Sequence, residues 1–151
     1  MKLSAKGIAL LKQLEGCSLI AYRDSKGVWT IGYGHTGRDF GPGSRWSQRE
    51  ADDMLVADVA WAEAAVNNLV KSIINQNQFD ALVIFTFNVG AANLKLSTLL
   101  KKVNGSDWVG AQAQFRRWNK VTMPNGLMKV DVGLVNRRRA ECELFNSKEL
   151  P

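Results

Sequence analysis

After Ser4, the apolar positions Ile8, Leu11 and Leu14 recur near a 3.6-residue period, which predicts a capped first helix that carries Glu15 in its last turn and stops at Gly16. The next stretch, SLIAYRDSKGVWTIGYG, reads as a hairpin: Leu19 to Arg23 as one strand, Ser25-Lys26-Gly27 as the turn, and Val28 to Tyr33 as the return strand. TGRDFGPGSRW is a loop, rich in Gly and Pro. Ser47 and Glu50 form a capping box that opens a long helix, with Met54, Leu55, Val59, Ala62 and Val66 on its apolar face and an end near Leu69. Beyond it the chain reads as shorter helices. They run from Asn77 to Val89, which is apolar enough to be central and buried, from Ser97 to Val103, from Asp107 to Trp118, and from Asn136 to Phe145. TMPNGLMKVDVG reads as a loop with room for an extended segment.

This pattern predicts an α+β fold, mostly helical. It would have a small N-terminal lobe (about 13–60) with a β-hairpin or short antiparallel sheet, a long linking helix, and an all-helical C-terminal lobe (about 70–151, plus the first helix). The whole chain, 1–151, would form one domain with a ligand cleft between the lobes. The length of 151 residues and an apolar content of 46% suit one packed core. There is no internal repeat.

The net charge of +6 and pI near 9.6 favour an acidic partner such as nucleic acid, an anionic membrane or an acidic polymer. The one dense basic run is Arg137-Arg138-Arg139. Two cysteines, Cys17 and Cys142, make no disulfide framework, and both read as free thiols filling small apolar sites. No Cys/His cluster has metal-site spacing. No signal peptide and no membrane-length apolar run is visible, so the expected location is the cytoplasm.

The candidate chemistry lies between residues 15 and 36. At the end of its helix, Glu15 meets the negative pole of the helix dipole, which favours the protonated form that a general acid needs. Asp24 sits at a polar turn beside Arg23 and Lys26, where a carboxylate stays ionised. The hairpin register makes Thr30 a diagonal neighbour of Asp24 on one face, able to hold a water with it. Gly32 and Gly34, on the same face, would leave room for substrate. Two carboxyl groups in contrasting settings suit acid and base work on a glycosidic bond.

The spacing of Glu15, Asp24 and Thr30, followed by IGYGHTG, resembles the catalytic signature of the tailed-phage lysozymes, glycoside hydrolase family 24. NQNQFDAL with FTFNVG, STLLKKVNGSD, AQFRRWNK and GLVNRRRAE resemble later blocks of that family in the same order, so the resemblance covers nearly the whole chain. It implies a lysozyme-like fold and an endolysin that hydrolyses the β-1,4 bond between N-acetylmuramic acid and N-acetylglucosamine in peptidoglycan, with inversion. Carried over, Glu15 is the acid, Asp24 the second carboxylate, and Thr30 the residue that positions water. Thr36, Phe87, Asn88 and Thr98 match substrate-binding positions. His35 takes a supporting, structural role bonded to a carboxylate, and Arg137 matches an arginine that approaches the acid. Arg138 and Arg139 are left a solvated or wall-binding role. No cofactor or metal is implied. The expected protein is a monomer without a membrane anchor or nucleic-acid partner, dependent on a holin to reach the wall from the host cytoplasm. Two rival readings are a basic nucleic-acid-binding module and a lytic transglycosylase.

Overall fold

The computed structural model describes residues 1–149, so the predicted span 1–151 runs two residues beyond the described part. The chain divides into two compact units, one formed by Ile8–Trp61 and the other by Met1–Gly7 with Ala62 onward.

In the unit spanning Ile8–Trp61, helix α1 (Ala5–Glu15) ends where predicted. Gly16 takes a positive φ of 67°, a left-handed conformation that a residue with a Cβ adopts only at a cost, and its N–H closes the last turn on the Lys12 carbonyl at 3.0 Å. A three-stranded antiparallel sheet follows: β1 (Ser18–Arg23), β2 (Trp29–Gly32) and β3 (His35–Thr36). Tyr22 faces Thr30 and Arg23 faces Trp29, the register read from the sequence. The capping box of Ser47 and Glu50 is formed and opens α2 (Gln48–Asp58). The core here is Leu11, Ile31, Ala51, Leu55 and Val59, each at most 2% exposed. Lys12 pairs with Asp52 at 3.1 Å, and Asp52 also accepts from the Tyr33 hydroxyl at 3.1 Å and Gln48 Nε2 at 2.9 Å, which ties α1, the β2–β3 turn and α2 together.

The long linking helix expected from Ser47 to about Leu69 is two helices, α2 and α3 (Ala60–Leu69), interrupted at Val59. Val59 keeps helical torsions, but its N–H is shared between the Leu55 and Ala57 carbonyls, a local tightening that no Pro or Gly announces.

In the other unit, α4 (Gln76–Val89) is central as expected, and Phe79, Leu82, Val83, Ile84 and Phe85 are at most 1% exposed. Its start is fixed by a second capping box, Asn75 with Gln78. Around it pack α5 (Ala91–Leu96), α6 (Thr98–Asn104), α7 (Trp108–Phe115) and α8 (Val132–Asn146). An aromatic cluster joins α4, α7 and α8: Phe85 meets Phe115 and Trp118 edge-on, both at 5.5 Å, and Phe115 meets Phe145 at 5.4 Å. The chain start is anchored by two buried carboxylates. Leu3 N–H donates to Glu63, and both the Ser4 N–H and the Ser4 hydroxyl donate to Asp80, while Ser4 Oγ caps α1 through the Gly7 N–H at 3.0 Å.

The expectation of an all-helical C-terminal lobe is corrected here. Strands β4 (Lys120–Thr122) and β5 (Met128–Val130) pair as an antiparallel ribbon, and α8 begins four residues earlier than expected because the Asp131 side chain caps it through the Leu134 N–H. Among the described residues no helix is long and apolar enough to cross a membrane, and no group of side chains could hold a metal ion.

Candidate functional site

Five of the candidate residues lie in the Ile8–Trp61 unit. Glu15 is the half-buried last residue of α1. Asp24 stands at the mouth of the β1–β2 turn, and its Oδ1 accepts from two backbone N–H groups, Lys26 and Val28, both at 2.9 Å. These bonds hold one carboxylate oxygen, and no described residue donates to Oδ2. Thr30 is 4% exposed, and its hydroxyl donates to the Val28 carbonyl at 3.0 Å. That carbonyl also accepts from the Asp24 N–H at 2.9 Å. Asp24 and Thr30 are therefore locked to the two ends of one residue, Val28. With its proton committed, the Thr30 oxygen can only accept from a further partner. Thr36, exposed, faces Thr30 across β2–β3.

Gly32 does not leave room for substrate, as the sequence suggested. A Cβ there would lie 3.0 Å from the Trp46 ring, so the space is occupied. Around Gly34 it is open.

His35 is structural in its contacts. Its Nδ1 lies 2.7 Å from Asp58 Oδ2, and its Nε2 lies 3.1 Å from Asp39 Oδ1. Burial alone would lower its pKa, but the hydrogen bonds to Asp39 and Asp58 outweigh that and raise it. The bond to His35 correspondingly holds Asp39 below the usual carboxylate range. Trp46 packs against the imidazole at 5.3 Å.

The other candidates lie in the second unit. Phe87 and Asn88 are consecutive in the last turns of α4, the first half-buried and the second exposed. Thr98 is the exposed first residue of α6, after the Ser97 cap. Arg137 is buried on α8, with Nε 3.4 Å from Glu141 Oε1. The sequence reading of Arg138 was wrong: it is 1% exposed, the largest fully buried side chain among the described residues, while Arg139 is exposed. Arg138 Nη2 donates to Asn88 Oδ1 and Glu141 Oε1, each at 2.8 Å, and its guanidinium lies 5.0 Å from the Phe85 ring centre. Its Nε is 2.7 Å from Glu141 Oε2 but off-line for a hydrogen bond, so this arm is an ion pair alone. Burial pushes the Glu141 carboxyl up to about 7, against the pull of Arg138 and Arg137. Two of the three arginines thus face inward, and the run is no exposed basic patch.

Both cysteines are free. Cys142 fills a buried site, where burial pushes its thiol up. Cys17 is exposed, which corrects its reading as an apolar filler.

Comparison with known proteins follows the same lines. A family model described as phage lysozyme matches residues 12–141. An endolysin of Acyrthosiphon pisum secondary endosymbiont phage 1 is 42% identical over 97% of this chain and 99% of that protein. An endolysin of Bacillus phage PZA is 44% identical over 97% of this chain, which spans 56% of that protein. Among solved structures, an endolysin from Escherichia coli O157:H7 phage FAHEc1 superposes with a TM-score of 0.94 at 40% identity, covering 100% of this chain and 97% of that one. The muramidase domain of SpmX from Asticaccaulis excentricus gives 0.91 at 37% identity, covering 97% and 99%.

Proposed function

This chain belongs to the phage lysozyme family, and we propose that it hydrolyses the β-1,4 bond between N-acetylmuramic acid and N-acetylglucosamine, lysing the host wall at phage release. The observation that carries this reading is the setting of the three residues matching the family signature. Glu15 ends a helix, Asp24 is fixed in its turn by two backbone N–H groups, and Thr30 is bound to the same residue as Asp24.

In this reading Glu15 protonates the leaving oxygen as the glycosidic bond breaks. Positive charge develops at the anomeric carbon, and the Asp24 carboxylate stabilises it, orients the attacking water and takes the proton that water loses as its oxygen bonds to that carbon. Thr30 accepts a hydrogen bond from the same water. Thr36, Phe87, Asn88 and Thr98 contact the glycan, with His35 and Arg137 in supporting roles. The muramidase relative supports the bond chosen, and the charge of +6 suits an anionic wall. The protein works as a monomer and gains access from the host cytoplasm when a holin permeabilises the membrane.

Mass spectrometry of fragments released from purified peptidoglycan tests this reading. Fragments with reducing N-acetylmuramic acid ends are expected, and their loss in Glu15→Gln with an unchanged melting curve. Anhydro ends would identify a lytic transglycosylase instead. Full activity in Glu15→Gln would remove the assigned acid.

A further inference from the structure

An exposed asparagine can present either its carbonyl or its amide nitrogen to a ligand, because rotation of the carboxamide exchanges the two at little cost. Asn88 does not have that freedom. Behind it stands Arg138, whose guanidinium has only donors, so the Asn88 oxygen must turn inward to meet Nη2 at 2.8 Å. The two N–H bonds of Nδ2 are then left over as donors, and no described residue accepts from them. Arg138 is in turn fixed on every side. Glu141, 0% exposed, binds it through both oxygens; Phe85 covers one face; and the Trp118 carbonyl accepts from Nη1 at 3.5 Å. Asn88 and Arg138 also border one cavity of about 360 Å³, shared with Arg117, Trp118, Lys120 and Met128. A buried arginine beside a buried carboxylate is costly to maintain relative to apolar side chains of the same volume, and such pairs are a weak source of stability. Here the pair holds one exposed polar side chain in one orientation.

We propose that Arg138, held by Glu141, is the positioning residue for Asn88, and that it makes Asn88 a donor-only contact for an acceptor oxygen of the glycan, an acetamido carbonyl or a sugar carboxylate. This rests on the reading of Asn88 as a substrate-binding residue. It adds a rule of specificity to that reading: Asn88 discriminates for substrates with an oxygen acceptor at its subsite and against those that offer only an N–H donor there.

The test is a double-mutant cycle on the purified protein with soluble glycan strands as substrate, reading KM and kcat separately beside the melting temperature. Asn88→Ala should raise KM about 10-fold with kcat nearly unchanged, as loss of one ground-state hydrogen bond requires. Asn88→Asp should raise it at least as much, although a carboxylate pairs better with Arg138 and the fold is kept. Arg138→Met should raise KM by a similar factor in the wild-type background and leave it unchanged in the Asn88→Ala background, while a melting-temperature loss remains in both, smaller in the second because the Asn88 bond is already gone. Arg138→Lys retains the cation with a single donor direction and should give an intermediate KM, which keeps the test open if Arg138→Met does not fold. Carboxyl-reduced strands separate the two acceptors: the Asn88→Ala effect persists if the acetamido carbonyl is bound and vanishes if the carboxylate is. An Arg138 effect on KM that persists in the Asn88→Ala background would overturn the positioning role and leave Asn88 as a binding residue. Unchanged KM in both Asn88→Ala and Asn88→Asp would overturn the Asn88 reading and this proposal with it. A wild-type protein that does not cleave the strands would overturn the proposed function itself.

Discussion

The His35 cluster sets a pH dependence of stability whose size follows from its geometry. The imidazole side chain is 13% exposed, and Asp58, 2.7 Å from Nδ1, is 29% exposed. A partly buried hydrogen bond between charged groups of this kind contributes about 1.5–3 kcal/mol. Asp39 is 54% exposed, so its arm is screened by solvent and adds little. Burial of the ring opposes both, leaving about 2 kcal/mol in favour of the folded state when His35 is protonated. Because the folded pKa is raised, this contribution is complete below the unfolded value of about 6.5 and is lost as pH rises through the folded value. For a chain of this length 1 kcal/mol corresponds to roughly 2–4 °C, so raising the pH from 5 to 9 should lower the melting temperature by about 4–8 °C through His35. Glu141, pushed from 4.5 up to about 7, acts with the same sign but at lower pH, between those two values, and its loss runs into that of His35, so the wild-type curve alone does not isolate the imidazole. His35→Asn does, because its amide can still donate to Asp58 but does not titrate. Thermal melts of both proteins from pH 5 to 9 should differ by the stated amount at the acid end and converge at the alkaline end. Parallel curves would refute the reasoning, as would a larger loss in Asp39→Asn than in Asp58→Asn at pH 5.

Gly32→Ala should cost about 2–4 kcal/mol in urea unfolding, since it meets the Trp46 ring at 3.0 Å and takes a φ of 66°; Gly27→Ala, with a φ of 78° and open space, should cost only about 1–2 kcal/mol. Equal losses would show that the ring contact is immaterial. A colorimetric thiol assay on the native protein should show Cys17 reacting at once and Cys142 only on unfolding, and replacing both cysteines with serine should leave lysis intact.

The parts of the fold legible in the sequence were those specified locally. Ser47 and Glu50 lie three residues apart, and the hairpin register follows from one short turn. The helix from Asn77 to Val89 announces itself by its apolar content, with Ala81 to Phe85 an unbroken run. What the sequence hid depends on remote partners or on missing contrast. All six residues of β4 and β5 are exposed, so no alternation of buried and exposed positions marks them, and only Pro124-Asn125-Gly126 hints at the turn. Helix α5 restarts directly on Gly90, which reads as a stop. Trp46 reaches Gly32 across fourteen residues and fills the space that a missing side chain seemed to offer. Arg138 was the largest error. Three adjacent arginines look solvated, and only Glu141 three residues on gives a local signal that one of them turns inward. The partner that explains it, Asn88, lies fifty residues earlier.

The proposed stereochemical outcome, inversion, draws its support from the hairpin. If Asp24 were a nucleophile, its carboxylate would have to attack the anomeric carbon, and retaining enzymes bring the two carboxyl groups to about 5–5.5 Å for this. The turn works against that role. Two N–H groups stabilise the anion on Oδ1, and charge-assisted bonds of this kind weaken a carboxylate as an attacking group while leaving it able to accept from water. Asp24 Oδ2 and the Thr30 hydroxyl oxygen are then two acceptors, and a water that donates one hydrogen to each directs a lone pair outward. Thr30 can take this part because its own proton already points at the Val28 carbonyl. In the proposed mechanism such a water attacks the face opposite the acid, so hydrolysis of the β-1,4 bond should release the α-anomer first. Proton NMR of a defined oligosaccharide digest, recorded before mutarotation, reads this directly. Thr30→Ala should lower kcat by about 10²-fold, in the range that positioned acid–base groups supply, without changing the anomer. A β-anomer as first product, or a sugar covalently trapped on Asp24, would sink the argument and return Thr30 to the purely structural bond it makes with Val28.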